Sequence, residues 1–257
     1  MSDWNAELYS KFEKNRTLPA VDLVKAIEAK PQRIIDIGCG IGNSTAVLAE
    51  RFPEAEIIGV DSSDDMLAFA RNAHPSIQFI KLDAEHDLGK MDERYDIVFS
   101  NACIQWIPNH RKLLKEMMGL LNDGGVLAVQ IPAQKKHPMH ALMKNIALSE
   151  KWSQKITSPR QYNELSDEEY FDVLSEVSGS FRMWETTYFH EMPSYQSILE
   201  WYKGTGLRPY LEQLSDDDKG LFEEDILAEI IKIYPLQENG NIIFRFPRLF
   251  FTAFKTR

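Results

Sequence analysis

Arg33-Ile-Ile-Asp-Ile-Gly-Cys-Gly-Ile-Gly-Asn-Ser-Thr45 is the stretch on which the fold turns. An apolar, β-branched run carries Asp36 near its end, and glycines follow at alternate positions, Gly38, Gly40 and Gly42. Asn43, Ser44 and Thr45 then offer N-cap residues to a helix running through Val47, Leu48 and Phe52. The pattern predicts a buried strand, a tight turn and a helix start. Glycine there permits positive φ and a close approach by a ligand. The helix N-terminus presents unpaired N–H groups to an anionic group. An ordinary strand-to-helix turn would also accommodate a Gly-x-Gly, so this segment alone does not name a ligand.

The flanking sequence repeats the theme. Ala55 to Val60 reads as a second apolar strand and ends at Asp61, Ser62 and Ser63. A carboxylate just past that strand can accept hydrogen bonds from both hydroxyls of a ribose. Asp61 or Ser62 could instead cap the helix predicted from Asp64 to Asn72; both roles are met if Ser63 caps while Asp61 faces the ligand. Ile77 to Leu82 is a third strand, ending at Asp83-Ala84, and Tyr95 to Ser100 a fourth, running into Asn101-Ala102 and Ile104-Gln105-Trp106. A fifth, Val126 to Ile131, is entered through the turn signal Asn122-Asp123-Gly124-Gly125. Three successive strands ending in Asp36, Asp61 and Asp83 form a constellation that chance explains poorly.

The alternation of strands and helices over residues 32–132 predicts an α/β, Rossmann-like sheet, mostly parallel with its last strand antiparallel. Residues 1–30 read as helices, with Trp4, Leu8, Tyr9 and Phe12 at helical spacing and Pro19 opening a second helix. Residues 133–180 are mostly helical, through Met139 to Trp152 and Asp167 to Val177. Residues 181–191 and 249–255 alternate as strands. Between them, residues 192–240 form a helical insert (Tyr195 to Tyr202, Asp216 to Tyr234), expected as a lid over the carboxyl edge of the sheet, where ligands bind in open α/β folds. No composition shift marks a second domain, so 1–257 is expected as one.

Composition excludes several classes. A hydrophobic content of 44% with 26% charged residues is that of a soluble globular chain. No apolar run approaches the ~20 residues that cross a bilayer. The N-terminus lacks the basic and apolar regions of a secretion signal, so a cytoplasmic location is expected. The net charge of −10, without a sustained Lys/Arg run, argues against a nucleic-acid partner. Two cysteines, Cys39 and Cys103, are too few for a disulfide framework and are expected as free thiols. The six histidines show no metal-ligand spacing, and no obligate protein partner is evident.

A dinucleotide fingerprint needs Gly-x-Gly-x-x-Gly, and its third glycine is replaced here by Asn43. The form Asp36-x-Gly38-x-Gly40-x-Gly42 instead resembles the first motif of the class I S-adenosylmethionine-dependent methyltransferases. That resemblance implies S-adenosyl-L-methionine as cofactor and S-adenosyl-L-homocysteine as product. It places Asp36 and the glycines at the methionine portion, Asp61 and Ser62 at the ribose, Asp83 and Ala84 at the adenine, and Asn101 on the loop facing the methyl donor.

The acceptor needs separate reasoning. Arg16 follows an aromatic-rich first helix, Tyr188 and His190 share one face of a strand, Arg208 sits in Thr-Gly-Leu-Arg-Pro, a loop rather than a helix interior, and Arg248 stands at the entrance to the last strand. Arginine among apolar residues is expensive to bury without an anion, and its fork fits a carboxylate. Pairing with the chain's own Asp or Glu is the alternative for each.

Motifs over nearly the whole chain carry a narrower resemblance. Ser2-Asp3-Trp4-Asn5, Gln105-Trp106, Thr186-Thr187-Tyr188, Thr205-Gly206-Leu207-Arg208-Pro209, Tyr234-Pro235-Leu236-Gln237-Glu238-Asn239-Gly240 and Phe246-Pro247-Arg248-Leu249-Phe250 are similar to the trans-aconitate methyltransferases. The family implies monomethyl esterification of trans-aconitate, a small polycarboxylate, with Arg16, Trp106, Tyr188, His190, Arg208 and Arg248 as acceptor contacts. A carboxylate is ionised at pH 7, so no residue is expected as a general base. Methylation of another small carboxylic acid fits the cofactor motifs equally. Less favoured are a nicotinamide-dependent oxidoreductase and a module that senses S-adenosylmethionine without catalysis.

Overall fold

The computed structural model describes residues 13–160 and 162–256. The helical reading of Trp4, Leu8, Tyr9 and Phe12 lies outside them. The first half alternates as the sequence predicts: β1 (Arg33–Ile37), α2 (Asn43–Arg51), β2 (Glu56–Asp61), α3 (Asp64–Ala73), β3 (Gln78–Lys81), β4 (Tyr95–Asn101), α4 (His110–Gly119) and β5 (Leu121–Pro132), preceded by α1 (Glu13–Lys25). Then follow α5 (Pro138–Ala147), α6 (Asp167–Val177), β6 (Ser180–Met192), α7 (Tyr195–Lys203), α8 (Arg208–Leu211), α9 (Asp216–Ile233) and β7 (Ile242–Phe254).

The seven strands are ordered β3-β2-β1-β4-β5-β7-β6. β1 pairs in parallel with β2 and β4, β2 with β3, and β4 with β5. β7 is antiparallel to β5, with Val126 opposite Phe254 and Pro132 opposite Arg248. The strand order reverses direction at β1, so the carboxyl ends of β1, β2 and β4 carry the glycine turn, Asp61 and Asn101 to one edge. That is the crevice in which open α/β sheets bind ligands.

The chain divides into two compact units. The first comprises residues 1–132, 163–186 and 248–257, the second residues 133–162 and 187–247. In the first, Ile35, Ile37, Val98, Leu127, Val129 and Phe251 form the sheet's share of the core, against Leu113, Leu114 and Met117 of α4 and Tyr170, Val173 and Leu174 of α6. In the second, Trp152 packs edge-on against Phe222 and donates its Nε1–H to Asp225 at 2.7 Å. Asp225 also takes Lys151 at 2.7 Å, which ties the segment after α5 to α9.

Four expectations are corrected. Pro19 does not open a helix; it lies inside α1. Its missing N–H and ring clash cost about 3 kcal/mol in a helix interior, and burial of Ala20, Leu23 and Val24 on the same helix opposes that cost. The first helix of 133–180 stops at Ala147 rather than Trp152, giving way to turns. Arg208 opens α8, with Pro209 in its first turn, rather than lying in a loop. β7 begins at Ile242, so Arg248 is a mid-strand residue. Ile242, Phe244 and Phe246 are buried while Ile243 and Arg245 are exposed, a two-residue alternation that continues up to Pro247. Pro247 has no N–H to give a ladder, yet its carbonyl accepts from Ala133 N at 3.0 Å.

His110, at the start of α4, is fully buried and held on both ring nitrogens. Nε2 lies 2.8 Å from the Ile104 carbonyl, an acceptor, so Nε2 carries the proton. Nδ1, 2.5 Å from the Tyr170 hydroxyl, therefore accepts. Tyr170→Phe removes that donor from a buried acceptor and should cost about 1–3 kcal/mol. Urea denaturation measures it, and an unchanged midpoint would contradict the assignment.

Candidate cofactor site

The glycine turn is shaped by backbone bonds. Gly38 N and Cys39 N both donate to the Val60 carbonyl at 2.8 and 3.0 Å, joining the end of β1 to the end of β2. Gly38 has φ +74°, and a Cβ there would lie 2.1 Å from Cys103 Sγ, so both conformation and space require glycine. At Gly40, φ +54°, a Cβ would meet nothing within 4 Å, because that face is open. Gly42, φ 92°, caps α2 in the left-handed region.

Asp36 is wholly buried, and its Oδ2 accepts the hydroxyls of Ser44 and Thr45, each at 2.7 Å. Oδ1 is buried without a hydrogen-bond partner. Burial pushes this carboxyl up from 3.8 to about 6; the two hydroxyls act against that rise, and nearby Asp61 adds to it. Asp61 is held by backbone donors on both oxygens: Gly40 N to Oδ2 and Ser63 N to Oδ1, each at 2.9 Å. Ser63 caps α3, accepting from Met66 N. Burial raises the Asp61 carboxyl, opposed by the N–H groups of Ser63, Gly40 and Ser62. Asp83 accepts from Glu85 N at 3.0 Å and pairs with His86 at 3.3 Å.

A cavity of about 320 Å³ opens at this edge of the first unit. Gly38, Gly40, Asp61 and Ser62 line one part of it, Asp83 and Ala84 another, and Asn101, Trp106 and Arg16 a third. Nine residues expected at a ligand site from sequence thus share one cavity. Two cofactor candidates, Asp36 and Gly42, do not reach its wall: Asp36 is turned to the first turn of α2, and Gly42 is spent on capping it. Arg16 lies within α1 and is buried.

Sequence reasoning missed other lining residues, among them Thr17, Met66, Leu82 and Ile107. These carry no motif; only the fold brings them together. Cys39 and Cys103 are free and both line the cavity. Burial first, then Asp36 and Asp61, push both thiols up. Ala102, beside them, holds φ 54°, unusual for a non-glycine residue. Its carbonyl accepts the Gln105 side chain at 2.7 Å, which fixes the turn into Trp106. The Asn101 Oδ1 atom is buried without a hydrogen-bond partner.

The remaining acceptor candidates do not line this cavity. The Tyr188 and His190 rings stack with centroids 6.1 Å apart, and His190 packs 5.1 Å from Trp201. Arg208 Nε donates to Glu212 at 2.7 Å, one turn along its helix. Arg248 is buried within β7.

The mostly parallel sheet, the glycine turn and the acidic strand ends define a class I S-adenosylmethionine-dependent methyltransferase. Residues 34–125 match the methyltransferase domain family. Among solved structures, the YcgJ protein of Bacillus subtilis superposes with a TM-score of 0.59 at 18% identity, covering 93% of this chain and 99% of its own. Phosphoethanolamine N-methyltransferase 2 of Haemonchus contortus, solved with S-adenosyl-L-methionine, gives a TM-score of 0.55 at 21% identity, covering 95% of this chain and 53% of its own. Those likenesses speak to the fold alone. The chain is also 41% identical over 257 residues, all of both sequences, to trans-aconitate 2-methyltransferases of Escherichia coli and Shigella flexneri. It belongs to the trans-aconitate 2-methyltransferase family.

The Asp36 carboxyl has a pH signature. Its native pKa lies above the unfolded value, so the native state binds more protons between about pH 4 and 6, and stability falls as pH rises through that window. A rise from 3.8 to about 6 corresponds to a loss on the order of 3 kcal/mol. Asp36→Asn keeps a carbonyl acceptor for Ser44 and Thr45 without the charge. Its stability relative to the parent protein should therefore grow from pH 4.5 to 7 and then level off. Parallel stability curves for the two proteins, by denaturant titration without cofactor, would show that Asp36 does not titrate in this window.

Proposed function

We propose that this protein transfers the methyl group of S-adenosyl-L-methionine to one carboxylate of trans-aconitate, giving the monomethyl ester and S-adenosyl-L-homocysteine. The observation that carries the reading is the identity of 41% over the full length of both chains, second unit included.

The cavity's chemistry fits the cofactor. Each Asp61 oxygen already takes one N–H, and a carboxylate has roughly four lone-pair sites, so each can still accept a ribose hydroxyl. The open face of Gly40 leaves room for backbone-close packing of the methionine portion, and Asp83 with Ala84 reads the adenine. Asp36 acts from behind the turn by holding the first residues of α2. Asn101, with its unmet Oδ1, is assigned to the methyl-donor end. When bound, the cofactor supplies a sulfonium-activated methyl that passes to a carboxylate oxygen as its bond to sulfur breaks.

The chain's residues have no proton to move, because the acceptor carboxylate is ionised at neutral pH. Their contribution is alignment of the oxygen with the methyl and exclusion of water. The reacting carboxylate and the sulfonium lose their opposite charges as the methyl passes, while the other carboxylates keep theirs, so a dry site around the reacting pair favours the transition state over the separated ions. The acceptor contacts are assigned to Trp106, Arg16, Tyr188, His190, Arg208 and Arg248. Arginine suits the carboxylates that do not react, since its fork grips them bidentately.

Two outcomes test this. Asp61→Ala should weaken cofactor binding by ~1.5–3 kcal/mol, through unpaired hydroxyls and a loosened turn; calorimetry with an unchanged affinity in a folded variant would remove Asp61 from the site. Steady-state kinetics should show trans-aconitate preferred over monocarboxylates. Arg248→Lys should raise KM for trans-aconitate by ~10-fold or more while leaving cofactor affinity unchanged, because a point charge does not replace the fork. A parent enzyme that prefers the monocarboxylate would overturn the reading.

A further inference from the structure

Gln130, in the second half of β5, is fully buried, and neither its Nε2 nor its Oε1 has a hydrogen-bond partner among the described residues. Turning the amide over does not help, since both ends are unmet. Buried polar groups are nearly always paired, because losing water without a replacement costs free energy at each end. The neighbours in sequence, Val129 and Ile131, belong to the core against α4 and α6. Gln130 therefore faces the other side of the sheet, where α1 packs against β5. An apolar side chain of the same length would fill that place without the cost.

The register shows where this amide lies. Gln130 is level with Asn101 of β4 on one side and with Phe250 of β7 on the other, and residues level across paired strands share a face. Asn101 lines the cofactor cavity and has an unmet Oδ1 of its own. Phe250 is apolar and fully buried, so it offers the amide nothing. Arg248, two residues before Phe250, is on the same face, level with Pro132 at the carboxyl end of β5. The order β4-β5-β7 thus sets Gln130 between the wall of the cofactor cavity and the strand that bears Arg248. That span is two strand spacings, about 10 Å. The Gln130 carbonyl also accepts from Ala102 N at 2.9 Å, which fastens the loop after β4 to this point of β5.

We infer that the Gln130 carboxamide is an acceptor-binding, specificity-determining group that donates from Nε2 to a carboxylate of the acceptor that does not react. The inference rests on the function proposed above, which makes the acceptor a polycarboxylate. An amide suits the place, because it grips an anion without bringing a charge into a wholly buried position. A hydrated carboxylate meets both ends of it: a carboxylate oxygen takes the Nε2–H, and the accompanying water donates to Oε1. The acceptor then extends from the methyl-donor end beside Asn101 towards Arg248, with Gln130 midway. A short skeleton carrying several carboxylates, met by the long arginine side chain, covers that distance.

Gln130→Met keeps the length and approximate volume of the side chain and removes both polar ends. Its urea midpoint should equal or exceed that of the parent, because two unmet groups leave the interior. Steady-state kinetics should show KM for trans-aconitate raised at least tenfold, with calorimetric affinity for S-adenosyl-L-homocysteine within twofold of the parent. The kcat/KM for crotonate, which has no second carboxylate to hold, should change less than threefold, so that the preference for the polycarboxylate falls. Gln130→Glu sets a like charge against the acceptor and should raise KM for trans-aconitate further than Gln130→Met. An unchanged KM in an enzyme that methylates trans-aconitate would overturn the inference and leave the proposed function standing. A lowered urea midpoint with that unchanged KM would make Gln130 the seat of a structural water instead. A parent that methylates only a different polycarboxylate, with KM for that acid raised tenfold by Gln130→Met, would overturn the proposed acceptor and uphold the assignment of Gln130.

Discussion

One buried carboxylate fastens the turn on which the cofactor cavity depends. Asp36 sits near the end of β1, an interior strand of the sheet, and takes two hydroxyls from the first turn of the following helix. That bond fixes where α2 begins, and so where the glycine turn must fold back. It is made at a cost, since a carboxylate wholly removed from water prefers to be protonated. The cost is tolerated because the hydroxyls supply a charge-assisted partner that water no longer can. A strand end, a helix start and the floor of the cavity are thus set by three side chains within ten residues of sequence.

Asp61 does the equivalent work one strand further on. It grips Gly40 N from across the turn and Ser63 N from its own side, so the two loops cannot move independently. The same two oxygens that organise the backbone are those assigned to the ligand. This is economy of a common kind: a residue pre-organised by the scaffold needs little reordering when it binds. It also means that the structural and ligand-binding roles of Asp61 are hard to separate by truncation.

Much of the first unit was legible in the sequence because its signals are local. The glycine spacing, the β-branched runs and the acidic strand ends are read within a few residues, and Ser63 capping while Asp61 stays available follows from turn chemistry. What could not be read depends on distant partners. Pro19 inside α1 is held by burial, Arg248 in mid-strand by an alternation that Pro247 disguised, and the helical start at Arg208 by a proline that reads equally well as a loop. Asp36 was recognised but its orientation was not, since facing Ser44 and Thr45 rather than the cavity is a matter of rotamer.

The two cysteines of the cavity acquire a meaning from the reagent that methyltransferases handle. A sulfonium methyl donor is an alkylating agent, and a thiolate is the side-chain nucleophile most readily alkylated. Cys39 and Cys103 line the same cavity, yet burial and the nearby carboxylates of Asp36 and Asp61 keep both as thiols. The negative charges that shape the turn therefore also passivate its sulfur. A methyl donor bound in this cavity would meet two thiols that burial first, and the carboxylates second, keep protonated.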